Sequence, residues 1–233
     1  MKPIGRATRK KRKSSTHDGP SLIAESPMFT KNALVFLHLL AMAVAIAKML
    51  EYDFRFLGMV HRPVTVERRD ELRRTKATMT AALWLLWATG LLFVYIGYAQ
   101  DPAYVMNEKL WMKILAVSVL TLNGMLMHRF AFPLMMQGGV FLELPLGRML
   151  GLTLFAAVSS VSWLYASFLG IARSWNHVMP FQHALAIYLG LLLLAACGSM
   201  ALMATLRHLY QRAPEAFALP VRTWKKDTSS STT

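Results

Sequence analysis

Long uncharged apolar blocks alternate with short charged segments along this chain, and the alternation predicts its elements more firmly than any short motif does. No charge falls between Asn32 and Ala47, and a helix-compatible pattern continues past Lys48 and Glu51 towards Met59. At ~1.5 Å per residue this block is long enough to cross a hydrocarbon layer and protrude from it. A second block, Ala77 to Tyr98, ends at Gln100-Asp101-Pro102, a helix stop and turn signal. The third runs from Leu110 to Met127, the fourth from Met149 to Ala172 and the fifth from Pro180 to Leu206. Backbone polar groups find no water in lipid, so the blocks must be helices; the alternation that a β-barrel strand needs is missing. The predicted fold class is all-α, a polytopic membrane helix bundle with about five transmembrane helices.

The segments between the blocks are read by composition. Residues 61–76 open with His61-Arg62-Pro63 and alternate in sign from Glu67 to Arg74, which suits a solvated connector with local helix. Residues 133–145 carry two prolines and Gly138-Gly139, and are expected to form an interfacial loop with no span. Residues 1–27, with the run Arg9-Lys10-Lys11-Arg12-Lys13, read as a disordered basic tail, 28–208 as the transmembrane domain and 209–233 as a polar C-terminal tail.

Composition and charge narrow the class. A chain 55% hydrophobic and 16% charged is too apolar for an ordinary soluble domain, and disorder is excluded as its main state. A net charge of +14 would suit nucleic acid, but the basic residues sit in the tails and the first loop. There they orient helices and meet anionic headgroups, so the expected partner is the lipid bilayer and no nucleic acid. Cys197 is the single cysteine, which rules out an intramolecular disulfide and a zinc-type framework.

Five spans put the termini on opposite sides. The first loop (Arg62, Arg68, Arg69, Arg73, Arg74), the third (Arg129, Arg148) and the C-terminal tail (Arg207, Arg212, Arg222) are the basic ones, which places them in the cytoplasm. The N-terminal tail contradicts this. Either Met28 is the true start, or the tail stays cytoplasmic and the topology is inverted or the first helix does not fully span.

Ionisable residues inside a membrane are costly and draw attention as functional groups. Lys48, Glu51 and Arg55 share one helix face and can pair internally near the membrane boundary, although a proton relay or an anion grip is the alternative. His38 stands about 220° around the helix from Glu51 and belongs to a different face. His38 and His183 both fall towards the non-cytoplasmic ends of their helices, with His177 nearby, and two neutral imidazoles from different helices are a way to hold haem iron. His128 is a further candidate second ligand, or can serve a separate site with His208 and His61 at the opposite end. Without a CxxCH motif any haem is non-covalent haem b. Cys197, Met200 and Met203 offer soft ligands for copper, against the plainer reading of apolar filler. Trp111 and Lys113 read as an interfacial aromatic with a snorkelling lysine. Ser162, Ala166 and Gly170 form a small-residue stripe for close helix packing.

Leu37-His38-Leu39-Leu40 with Glu51 downstream, Thr89-Gly90-Leu91, and Leu110-Trp111-Met112-Lys113 opening the third helix resemble a group of small bacterial membrane proteins of unknown function. That group is in turn similar to HemJ-type protoporphyrinogen oxidases and CopD-like copper-resistance proteins. The resemblance covers about residues 30 to 130 and implies a bacterial inner-membrane protein with haem b on a first-helix histidine, here His38. Glu51-Tyr52-Asp53-Phe54-Arg55 stands where the oxidases carry a Leu-Pro-Arg element, and a fifth helix extends the four-helix core. The implied function is redox or tetrapyrrole handling with an electron-transfer partner or another membrane subunit. The alternative is a non-catalytic accessory protein, or a small copper- or solute-handling one, in which the histidines only pack.

Overall fold

The computed structural model describes residues 22–213, and these are helical almost throughout. Five long helices carry the fold: α1 Leu22–Leu57, α2 Val66–Gln100, α3 Glu108–Leu126, α4 Leu146–Ile171 and α5 Phe181–Arg212. All five are long and apolar enough to cross a membrane, so the chain is a multi-pass membrane protein of the all-α class. The tail assignments for residues 1–21 and 214–233 lie outside the described residues. Two compact units divide the chain between Leu37 and His38. The first contributes the opening of α1, which begins at Leu22, inside the segment read as tail. The second carries every contact described below.

Local chemistry sets the helix ends. The Thr65 hydroxyl accepts from the Arg68 N–H at 3.4 Å and starts α2 eleven residues before Ala77, so most of the predicted connector is helix. Its alternating charges favour that outcome, because residues three and four apart on a helix face are neighbours, as in Asp70 and Arg73 at 3.9 Å. Asp101 closes α2 by giving its N–H to the Gly97 carbonyl, and its carboxylate accepts from the Ala103 N–H at 2.9 Å. Asn107 caps α3 in the same way, accepting from the Lys109 N–H at 3.2 Å.

Pro133 does not end the third span. A π-helical turn, Met127–Ala131, follows α3 and leads into a short α-helical piece, Phe132–Met136, so this span extends from Glu108 to Met136. Proline lacks an N–H and would break a continuous α ladder; here it falls just after the register has already widened. The loop begins only at Gln137. Gly138 adopts φ +85°, a conformation that strains any L side chain, and a Cβ there would also have to displace the Arg69 guanidinium, 2.7 Å away.

Small and aromatic side chains pack the helices together. One cluster joins Met112 and Ala116 of α3, Tyr165 and Leu169 of α4, and Ala184 and Tyr188 of α5. Another joins Ala45 and Met49 to Ala82, Leu120 and Trp163. A third sits at the loop end, where Val60, Phe141 and Leu142 meet Met149 and Met203. Alanine at these contacts lets backbones approach, the usual means of association where lipid supplies no hydrophobic drive. Large apolar residues face outward instead: Trp84 and Leu194 are each 71% exposed, an arrangement that a lipid surround favours.

The small-residue stripe on α4 is only partly used. Ser162 is fully buried and accepts from the Tyr188 hydroxyl while its own proton goes to the Val158 carbonyl. Gly170, however, is exposed and faces open space. Steps of four residues drift by about 40° each, so two steps carry the stripe off the contact and Leu169 takes its place.

Candidate functional site

The hydrogen bonds of His38 define its chemistry. Its Nδ1 lies 2.6 Å from the Thr89 hydroxyl on α2. Thr89 has one proton, and its oxygen stands 2.7 Å from the Leu85 carbonyl and 3.3 Å from that of Leu86. Carbonyls only accept, so the Thr89 proton points there and Thr89 accepts from His38 Nδ1–H. The imidazole is thereby held as the Nδ1–H tautomer, and Nε2 keeps its lone pair. The edge of Phe93 meets the ring with centroids 5.5 Å apart, and Gly90 stands beside Cε1, so α2 positions the ring on three successive contacts. Thr89 carried no sequence signal beyond lying next to Gly90.

His183 is exposed near the start of α5, and no described hydrogen bond or ring contact joins it to His38. His128 belongs to the other end of the bundle. Ala45 and Leu120 share one packing layer; His38 precedes Ala45 by about 10 Å of helix, and His128 follows Leu120 by about 12 Å. One iron cannot take both His38 and His128, which corrects the pairing of those two. His177 and His208 are exposed, and His61 accepts from the Arg62 Nε at 3.2 Å. Among the described residues no group of three or more histidine, cysteine, aspartate or glutamate side chains is placed to hold a metal. Cys197 is exposed whereas Met203 is buried against the loop-end cluster, since six residues turn a helix by about 240° from one to the other. The soft-ligand trio does not converge.

The Lys48, Glu51 and Arg55 stripe pairs within itself, at 2.7 Å and 3.1 Å, and Arg55 also bonds Glu71 on α2. Asp53, two residues from Glu51, points to the opposite side and accepts from the Ser160 hydroxyl on α4 at 2.6 Å. The half-turn offset from the stripe is the sequence signal that marks Asp53 as inward-facing.

Asp53 and Ser160 line a partly open cavity of about 410 Å³, bounded mainly by apolar side chains such as Met79, Leu83, Leu120 and Trp163. His128 and Lys76 line its far wall around Phe132: the imidazole meets that ring edge-on at 5.3 Å and the ammonium sits 5.0 Å from its centroid. The π turn aims His128 there. A smaller cavity of about 50 Å³, lined by Arg55, Arg62, Arg68 and Glu71, shares Tyr52, Phe56, Leu72, Met135 and Phe141 with the larger one.

No protein-family model, characterised protein or solved structure matches this chain.

Proposed function

We propose that this chain is a b-type haem protein of the bacterial inner membrane that handles electrons or tetrapyrroles, in which His38 Nε2 would hold the haem iron. The supporting observation is the Leu85, Thr89, His38 hydrogen-bond chain, which leaves Nε2 unprotonated and fixes the ring through its other nitrogen. Histidines that ligate metals are oriented in this way. His183, exposed at the same end, is the second candidate ligand, and Lys113 offers a cation for a propionate. When bound, haem would supply one-electron chemistry; the chain's own part is to set the tautomer and to exclude water with Phe93. HemJ-like character rests on the resemblance of His38 and its neighbours, and the departure after Glu51 keeps oxidase activity out of the proposal.

A second reading is favoured by the same contacts. Thr89 and Phe93 also satisfy a histidine that merely joins α1 to α2 in an accessory membrane protein. The visible spectrum of the protein purified in mild detergent separates the two. A Soret band that disappears in His38→Ala supports haem; folded, colourless protein from haem-replete cells leaves the packing reading.

A further inference from the structure

The two neighbouring cavities lie at the end of the bundle away from His38, and the haem proposal does not use them. They share five lining residues and differ in character. The larger is apolar, partly open and lined by α1, α2, the third span, α4 and α5; the smaller, beside it, is lined by three arginines and Glu71. The acidic groups in both walls already have donors: Asp53 has Ser160, and Glu71 has Arg55. Among the described residues Arg62 donates from its Nε to His61 and is in no ion pair, and the Arg68 guanidinium has no ion pair either. Positive charge is therefore left over where the apolar chamber ends.

We propose that these cavities hold an anionic phospholipid drawn from the surrounding bilayer, with its acyl chain in the larger chamber and its phosphate on Arg62 and Arg68. Guanidinium forks match phosphate oxygens two at a time, and basic pockets between helices at a membrane's cytoplasmic edge suit such headgroups. A free anion would use the arginines and leave the adjoining 410 Å³ of apolar space unexplained. An apolar molecule without charge would leave the arginines unexplained.

Gly124 provides a clean test of the chamber. It lines the cavity, and a Cβ built on it meets nothing within 4 Å, so a side chain can start there without displacing its neighbours. The experiment is native mass spectrometry of detergent-purified protein titrated with phosphatidylglycerol or phosphatidylcholine of identical chains, with folding checked by helical circular dichroism. Wild type should bind phosphatidylglycerol about tenfold more tightly. Arg62→Ala with Arg68→Ala should erase that preference, and Gly124→Phe, which keeps both arginines, should weaken both lipids. Inorganic phosphate alone should not displace the lipid. Equal affinity for the two lipids in wild type, a preference that survives the arginine changes, binding unaffected by Gly124→Phe, or displacement by inorganic phosphate would each overturn the proposal.

Discussion

The Lys109 ammonium lies 2.6 Å from the main-chain carbonyl of Ala172, so a lysine that is 5% exposed sits on the C-terminal pole of α4. It also donates to Asn176 Oδ1 at 2.7 Å, while its neighbour Glu108 accepts the N–H of Phe181 at the start of α5. Two adjacent residues of opposite charge thus cap opposite poles of two successive helices, each with the sign that the helix dipole favours.

Removing that ammonium should cost stability beyond its packing. Lys109→Met keeps the apolar stem but leaves the Ala172 carbonyl and Asn176 unpaired, with an expected loss of about 2–3 kcal/mol. Thermal unfolding in detergent should show a clear fall in Tm, and an unchanged midpoint would show the contact to be idle.

Thr89→Val removes the hydroxyl at nearly constant volume and frees the His38 tautomer. In a haem-loaded protein the expected result is a loss of haem affinity of about 10- to 100-fold, read by the Soret band during apomyoglobin competition. Thr89→Ser should retain binding. Equal retention by valine and serine would separate the hydroxyl from any role in ligation.

Ser160→Ala should destabilise the bundle by about 1–3 kcal/mol, since the Asp53 carboxylate then faces an apolar cavity without its donor. Pairing it with Asp53→Asn should recover part of the loss, because the neutral amide is cheaper to leave in that wall. A double-mutant cycle by chemical unfolding measures the coupling, and a value near zero would dismiss it.

Glycine positions should separate in sign. A Cβ at Gly97 would lie 2.7 Å from the Tyr104 ring, so Gly97→Ala should displace the turn after α2 at a cost of about 1–3 kcal/mol. Gly190 meets nothing within 4 Å, and Gly190→Ala should be neutral or stabilising by up to about 1 kcal/mol. The comparison needs only two melting curves beside wild type.

Orientation is testable through single cysteines. The Arg68 end of the bundle is basic and, by the positive-inside rule, expected in the cytoplasm, which puts Ser174 on the other side. With Cys197 replaced by serine, Ser174→Cys should react with an impermeant maleimide in intact cells and Arg73→Cys only after lysis. The reverse pattern would invert the topology.

The five spans were legible because each is a predominantly apolar run of about the ~20 residues that a bilayer needs, a property of local sequence that packing cannot overturn. Their ends were less so. The α2 start at Thr65 depends on a capping geometry that a densely charged stretch disguises, and the helical passage through Pro133 depends on a π turn with no composition of its own. The Lys48, Glu51, Arg55 ladder was legible for the same local reason as the spans, since i,i+3 and i,i+4 neighbours follow from helix geometry alone.

Which side chains from different helices meet was decided only in three dimensions. Counting residues showed that His38 and Glu51 part company around α1, yet it could not show that His38 would find Thr89, that Asp53 would find Ser160, or that Lys109 would reach Ala172. The sequence by itself determined a five-helix membrane protein, because hydrophobic length and charge act along the chain. Tertiary structure decided its sites, because in lipid every buried polar group must find a partner, and those partners lie 51, 107 and 63 residues away.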